Sequence, residues 1–319
     1  MTPVKPESTL CLAKVILLFN LLQVESYVVA TAIFVLTTLL IIYSSSSGND
    51  SLHYKGEFIS HAVSRTPINV KKWATKDGYF PVIGNKTMRL HCGQCALITS
   101  SSHLLGSEMG SEIDKTECTI RMNDAPTTGY EKDVGSKTTL RVVAHSSVYR
   151  VIRKPQEFLN KSQETVCIFW GPPQKMLKNS RGNVYRLIHQ AGLAFSSMSA
   201  FVIAPKRMQQ FDDLFQRATG RDRKKSHSWL STGWFTMVIA IELCDHVQVY
   251  GMAPPNHCRV APPKHVPYHY YEPKGPDECK TFVGNERAKK GNHHRFITEK
   301  DVFAEWAKLY NVSFLHPSW

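Results

Sequence analysis

Short apolar runs recur along the chain at 95–99, 118–121, 139–143, 165–170, 200–204 and 246–250, and each predicts a buried strand. Between and after them, residues 183–191, 207–217, 233–243 and 298–310 predict helices. The last of these places Thr298 and Asp301 in capping-box positions and lines Val302, Phe303, Trp306 and Tyr310 along one apolar face. Strand and helix signals that alternate in this way predict an α/β fold, a single Rossmann-like domain whose mainly parallel sheet is flanked by helices. No internal repeat interrupts the pattern.

The N-terminal region follows a different rule. Tyr27 to Tyr43 is an uncharged apolar run of 17 residues, at the lower end of the roughly 17–25 needed to cross a bilayer. Such a length suits a thinner, early-secretory membrane. Lys5 and Lys14 precede the run and only Lys55 follows it closely, so the positive-inside rule leaves the N-terminus in the cytosol. Lys14, Asn20 and Gln23 interrupt the apolar stretch Cys11–Val24, which reads as an interfacial helix, and no small-residue cleavage site ends either run. The expected organisation is a cytosolic tail at 1–26, a transmembrane signal-anchor at 27–43, a luminal stem at 44–88 and a luminal domain at 89–319. Four N-x-[ST] acceptors, Asn49, Asn85, Asn160 and Asn311, all lie beyond the anchor and agree with that topology.

Luminal placement changes the meaning of the cysteines and of the charge. Cys11 precedes the span, which leaves seven cysteines in the oxidising compartment and at least one unpaired. Cys167 lies inside the apolar run Thr165–Trp170 and reads as a packed free thiol. The partners of Cys92, Cys118, Cys258 and Cys279 are open at this stage. Cys92-x-x-Cys95 has no second CxxC, which argues against zinc or redox chemistry. A net charge of +13 would point to nucleic acid in a cytosolic protein, but luminal topology removes that partner.

Candidate chemistry gathers where strands end. Gly106 and Gly110 turn the chain after the first strand, and Asn123 leaves the second, where its amide suits ribose or phosphate as readily as an ordinary turn. Ser231-Thr232-Gly233 opens an almost wholly apolar helix whose N-terminal amides favour an anion. No D-x-D occurs, and Glu112-Ile113-Asp114, the nearest approach to one, reads as structural. Neither GxxxxGK[ST] nor G-x-S-x-G is present, which argues against P-loop and serine-hydrolase chemistry.

The segment Cys95–Thr139 resembles the large sialylmotif of animal sialyltransferases. The remaining motifs of that family follow in order: His227–Met252, His269-Tyr270-Tyr271-Glu272, and His294 five residues before Glu299. The likeness covers roughly residues 89–319 and is greatest to the GalNAc alpha-2,6 members of the ganglioside branch. Ser100-Ser101-Ser102 stands where most members carry Asn-Ser-Gly.

The resemblance implies the sialyltransferase variant of the GT-A fold and a Cys95–Cys244 disulfide. It also implies inverting transfer from CMP-sialic acid, with His294 as base, His269 beside the leaving phosphate and Glu299 orienting the base region. Asn123, Ser100, Ser231, Thr232, Gly233 and Tyr270 are the implied donor contacts. The acceptors it implies are sialylated Gal-beta-1,3-GalNAc chains, chiefly gangliosides and secondarily O-glycans, in the Golgi membrane. CMP departs as a monophosphate, so activity without a metal is expected, and the basic excess suits an acidic donor and an anionic membrane face. The rival reading is a non-catalytic, membrane-tethered glycan-binding protein of the same fold.

Overall fold

The computed structural model describes residues 29, 31–39, 78–159, 165–178, 182–195, 198–260, 265–288 and 293–319. The chain divides into two units, residues 1–66 and 67–319. In the first, residues 31–39 are helical, with the Thr37 and Thr38 hydroxyls donating to the Phe34 carbonyl at 2.9 and 2.8 Å. Among the described residues no helix is long and apolar enough to cross a membrane. The remainder of the expected anchor at 27–43, the helix at 11–24, most of the stem, and Asn49 and Asn160 lie outside the described residues. Asn85 and Asn311 are exposed.

The second unit is built on one eight-stranded sheet. Its strands are β1 (Tyr79–Pro81), β2 (Cys92–Ile98), β3 (Cys118–Met122), β4 (Leu140–Ala144), β5 (Val166–Trp170), β6 (Ser199–Ile203), β8 (Cys244–Tyr250) and β10 (Val312–His316). A two-stranded ribbon pairs β7 (Ser228–Trp229) with β9 (His293–His294). The order in the large sheet is β1-β6-β5-β4-β3-β2-β8-β10, parallel throughout except for antiparallel β1. From β2 the chain winds outward through β3 to β6 and then returns to the other side of β2 as β8. In open α/β sheets such a reversal opens a crevice at the carboxyl ends of the strands. Thr99, just past β2, donates to the Tyr250 carbonyl at 3.0 Å and closes the floor of that crevice. Gly251 follows at φ +85, where a Cβ would stand 2.4 Å from Thr99 Oγ1, so only glycine fits.

The main helices are α1 (Asn183–Ala194), α2 (Pro205–Thr219), α3 (Thr232–Leu243), α4 (Glu278–Arg287) and α5 (Phe296–Leu309). α2, α3 and α5 share one core with the sheet, and α1 packs into another that includes Val143, Cys167 and Phe169. Because α3 is apolar all round, it is buried all round, every residue from Trp234 to Leu243 included. Its Trp234 ring meets Phe215, Phe303 and Trp306, and its Phe235 ring meets Trp170 and Phe211.

Two expectations are corrected. β1 falls within the expected stem at 44–88, yet it joins the sheet and Tyr79 is buried. The Tyr79 hydroxyl donates to Glu242 at 3.3 Å, and Glu242 forms a buried ion pair with Arg207. A three-residue strand carries too little pattern to be read from sequence. The terminal helix begins at Phe296 rather than Thr298, and Arg295 at its N-cap makes no side-chain cap. The Thr298 hydroxyl donates to Glu286 at 2.6 Å instead, so tertiary contact overrides the capping box.

The disulfides pair Cys92 with Cys118, Cys95 with Cys244 and Cys258 with Cys279, and Cys167 is a buried free thiol. Burial pushes that thiol up to about 12, so it stays protonated and inert. The Cys95–Cys244 bridge spans 149 residues, and closing a loop of that length corresponds to about 5 kcal/mol in the chain-entropy account.

Candidate active site

Asn123 is the residue that leaves β3. It adopts φ +47, a left-handed conformation that asparagine tolerates better than most residues. Its N–H donates to the Val142 carbonyl at 2.9 Å and its Oδ1 accepts from the Ala144 N–H at 2.9 Å. Its Nδ2 donates to Thr232 Oγ1 at 3.4 Å, joining the ends of β3 and β4 to the start of α3. Beneath it, Arg141 Nη1 donates to the Asn123 and Ala125 carbonyls at 2.8 and 3.1 Å. Arg121 donates in the same way to the carbonyls of Val134 and Lys137. Burial lowers both guanidiniums, Arg121 to about 10, and both remain charged at neutral pH. Two buried cations ringed by carbonyls thus set the loop that presents Asn123.

Ser231 caps α3: its backbone is extended and its Oγ accepts from the Trp234 N–H at 3.1 Å. The Ser231 N–H donates to Glu299 Oε1 at 2.9 Å, and its hydroxyl is bonded to the other carboxyl oxygen. Thr232 and Gly233 fall in the first turn, where helix geometry leaves the N–H groups without intrahelical partners. Burial pushes Glu299 up to about 8, against the two Ser231 hydrogen bonds, and Glu286 adds repulsion. Near neutrality Glu299 is mainly an uncharged carboxyl, so it fixes the cap without placing an anion in front of it. The N-terminal end of α3 stays electropositive.

The ribbon positions His294. Parallel pairing sets Trp229 beside His294, two residues before the Ser231 cap. The His294 N–H donates to Asn285 Oδ1 at 3.1 Å, and Nδ1 lies 2.9 Å from the Trp229 carbonyl. A carbonyl only accepts, so Nδ1 carries the proton and Nε2 keeps its lone pair. Burial lowers the imidazole pKa, partly offset by the Trp229 bond, while His293 lowers it further. The ring is therefore neutral at neutral pH, with Nε2 available as a base.

His269 comes from the other side. Its Nδ1 is 2.7 Å from Glu272 Oε2, which as a carboxylate accepts the Nδ1 proton. Its ring stacks on Tyr271 at 5.0 Å and meets Tyr268 at 4.4 Å. Tyr268 also meets Phe296, whose ring lies 5.1 Å from that of His294. One aromatic wall thus connects the two histidines. The Tyr270 N–H donates to the Ser100 carbonyl at 2.9 Å, tying the His269 segment to the turn after β2.

Of the residues expected in the site, Asn123 is bonded to Thr232 and Ser231 to Glu299, with Gly233 in the same first turn of α3; His294 joins them through Trp229, and His269 reaches His294 through Tyr268 and Phe296. Tyr270 departs from expectation as a donor contact. It is 2% exposed and its hydroxyl donates to the Pro126 carbonyl, so its phenol supports the loop after Asn123 rather than facing a ligand. Glu112 and Asp114 are spent on the fold: Tyr250 donates to Glu112 at 3.3 Å, and the Ser136 and Lys137 N–H groups donate to Asp114. The sulfurs of Cys92, Cys95 and Cys118 cluster within 4.8 Å, but disulfide bonding leaves none of them as a thiolate ligand.

Sequence reasoning missed Asn285, Glu278 and the two arginines. Arg121 and Arg141 each break an apolar strand run, a signal that could have marked them. Asn285 and Glu278 lie on α4, a helix too polar to stand out.

The model of glycosyltransferase family 29 (sialyltransferase) matches residues 75–309. The human alpha-N-acetylgalactosaminide alpha-2,6-sialyltransferase 6 is 62% identical over 90% of this chain and 85% of its own length. The human alpha-N-acetyl-neuraminyl-2,3-beta-galactosyl-1,3-N-acetyl-galactosaminide alpha-2,6-sialyltransferase is 42% identical over 74% of this chain and 78% of its own. A crystal structure of a mammalian sialyltransferase overlays with a TM-score of 0.46 at 23% identity, covering 70% of this chain and 69% of that one. With the family match running through nearly every element that builds the pocket, the chain belongs to glycosyltransferase family 29, the sialyltransferases.

Proposed function

We propose that the chain transfers sialic acid from CMP-sialic acid, in alpha-2,6 linkage, onto the GalNAc of sialylated Gal-beta-1,3-GalNAc acceptors. Gangliosides are the chief acceptors in this reading, with O-glycans secondary. The names and identities of the relatives support the linkage and the GalNAc acceptor. The observation that carries catalysis is the fixed tautomer of His294, a neutral imidazole whose Nδ1 proton is committed to Trp229 and whose Nε2 is a free base.

The reaction is a single displacement. His294 Nε2 takes the proton of the GalNAc 6-hydroxyl as that oxygen attacks the anomeric carbon of the donor, and the bond to the CMP phosphate oxygen breaks. His269, acting as an imidazolium whose Nδ1–H is held by Glu272, gives its Nε2 proton to the phosphate oxygen as the glycosidic bond breaks and is left as the neutral imidazole. The α3 N-terminus at Thr232 and Gly233 receives the sialic acid carboxylate, and Asn123 with the Ser100 turn meets the nucleotide. Inversion at the anomeric carbon gives the alpha product. Charge on a departing monophosphate is met in this scheme by the His269 imidazolium, so no step calls for a divalent ion.

The topology that accompanies this reading is a type II Golgi protein with residues 1–26 cytosolic, 27–43 spanning and the catalytic domain luminal. The deciding experiment is incubation of the full-length chain in detergent with CMP-sialic acid and a panel of sialylated glycolipids and glycopeptides, with linkage analysis of the products and a parallel reaction in EDTA. An alpha-2,6-linked sialyl-GalNAc product, undiminished by EDTA, is the expected result. Glycan binding without turnover would instead support the non-catalytic reading.

A further inference from the structure

A carboxylate outside all the recognised motifs joins the turn after β2 to the helix that carries Glu299. Glu278 opens α4 and is 2% exposed. Its Oε2 accepts from the Ser101 hydroxyl at 2.6 Å, and its Oε1 lies 3.3 Å from His103 Nε2. Ser101 in turn caps the short 3-10 helix Ser102–Leu104, accepting from the His103 N–H at 3.3 Å. On the third side is Lys300, which follows Glu299 on α5. Its ammonium sits 4.3 Å over the Phe282 ring and interacts with Glu278. Burial alone would raise Glu278, but His103, Lys300 and the Ser101 bond outweigh it and keep the group ionised. The cluster is clamped from behind: the Cys258–Cys279 bridge joins the neighbours of His257 and Glu278, and the His257 ring meets that of His103 at 4.8 Å.

We infer that Glu278 is a positioning residue for the donor, holding the Ser100–His103 turn at the carboxyl end of β2 in the conformation that receives the nucleotide. This rests on the reading that the turn meets CMP-sialic acid. Other anchors hold the backbone of the turn: Ser100 accepts from the Tyr270 N–H, the Ser101 N–H donates to Thr99 Oγ1 at 3.3 Å, and His316 Nε2 lies 2.9 Å from the His103 carbonyl. Among the described contacts, the Ser101 hydroxyl and the His103 imidazole both turn to Glu278, which makes it the carboxylate that orients the side chains of the turn. The same carboxylate faces the helix that carries Glu299, so the donor turn and the cap of α3 take their spacing from one buried anion.

The test uses the full-length chain in detergent and the variants Glu278→Ala, Glu278→Gln, Ser101→Ala and the Ser101→Ala/Glu278→Ala pair. CMP affinity is measured by calorimetry, and KM separately for donor and acceptor, alongside thermal melts. Loss of a hydrogen bond to a charged group predicts that Glu278→Ala weakens CMP binding and raises donor KM about tenfold or more. Acceptor KM should stay within about twofold. Glu278→Gln, which keeps an oxygen for the Ser101 hydroxyl, should recover most of the loss. The double variant should be no worse than Glu278→Ala, because both changes remove one interaction. CMP affinity unchanged in a folded Glu278→Ala protein overturns the inference, as does a parallel rise in donor and acceptor KM. Should Glu278→Ala fail to fold, unaltered CMP affinity in Ser101→Ala overturns it on its own. A wild-type chain that binds CMP but transfers nothing would instead sink the proposed reaction, and the binding comparison would still decide the role of Glu278.

Discussion

Asn123 is bonded to the first turn of α3 and His294 to the strand that leads into α3, but the chain holds them by different means. Asn123 sits at a strand end, with its backbone and amide oxygen bonded to β4 and two buried arginines beneath it. His294 sits on a two-residue ribbon, fixed by one carbonyl, one asparagine side chain and a ring contact. The first region is inseparable from the fold, because removing its parts leaves buried charge or unpaired backbone. The second can be altered at the side chain with little cost to the sheet. In the proposed mechanism the rigid side would recognise the nucleotide and the side that tolerates change would transfer the proton.

The largest expected effect tests the tolerant side. His294→Ala should lower kcat by about 100- to 10,000-fold, the usual contribution of a general base, with a melting temperature close to wild type. A collapse in stability would show that the ribbon is as integral as the strand ends. Because burial holds the imidazole below its ordinary 6.5, the acid limb of kcat/KM in the wild type should fall below that pH. An acid limb above 6.5 would contradict the site's geometry.

The rigid side should respond in the opposite proportion. Asn123→Ala places alanine at φ +47 and deletes two side-chain hydrogen bonds, so it should destabilise the domain by about 2 kcal/mol and raise donor KM. Denaturant unfolding beside kinetics separates the two effects. Asn123→Gly, which relieves the backbone strain but not the lost bonds, should fall between them.

A smaller effect probes the joint between the regions, the Glu299–Ser231 pair. With its pKa pushed up to about 8, the folded protein retains a proton on Glu299 that the unfolded chain releases above about 4.5. The contribution of this group to stability therefore declines as pH rises from there through 8. Glu299→Gln removes that slope, so its melting temperature relative to wild type should increase between pH 5 and pH 8.5. Parallel melting profiles would mean that Glu299 is ionised and that the cap is held by charge. The smallest effect belongs to Tyr270→Phe, which loses one hydrogen bond to Pro126 and should cost about 1 kcal/mol with donor KM nearly unchanged.

The contrast also explains what could be read before the structure. Six strands and four helices announced themselves because burial on a sheet or against α3 demands long apolar runs, and bounds shifted by only a few residues. Helix α4 escaped because its buried residues are few and two of those are Glu278 and Cys279. β1, β7, β9 and β10 are short or half-buried, and their partners are distant in sequence. The motifs located Asn123, Ser231, His269 and His294 but not what holds them, since a carbonyl such as that of Trp229 has no side-chain signature. Tyr270 shows the reverse: it belongs to a recognisable motif, yet its hydroxyl is consumed within the fold.

β2 has a history that its final position conceals. It lies inside the sheet, third from one edge, paired with β3 on one side and β8 on the other, and bridged to each by a disulfide. During synthesis from the N-terminus, β3 emerges soon after β2, whereas β8 arrives almost 150 residues later. Until then one margin of β2 is open to pairing with a wrong segment or a second nascent chain. The crevice between β2 and β8 is accordingly among the last parts of the enzyme to exist, and a ribosome stalled before residue 244 leaves β2 without its second neighbour.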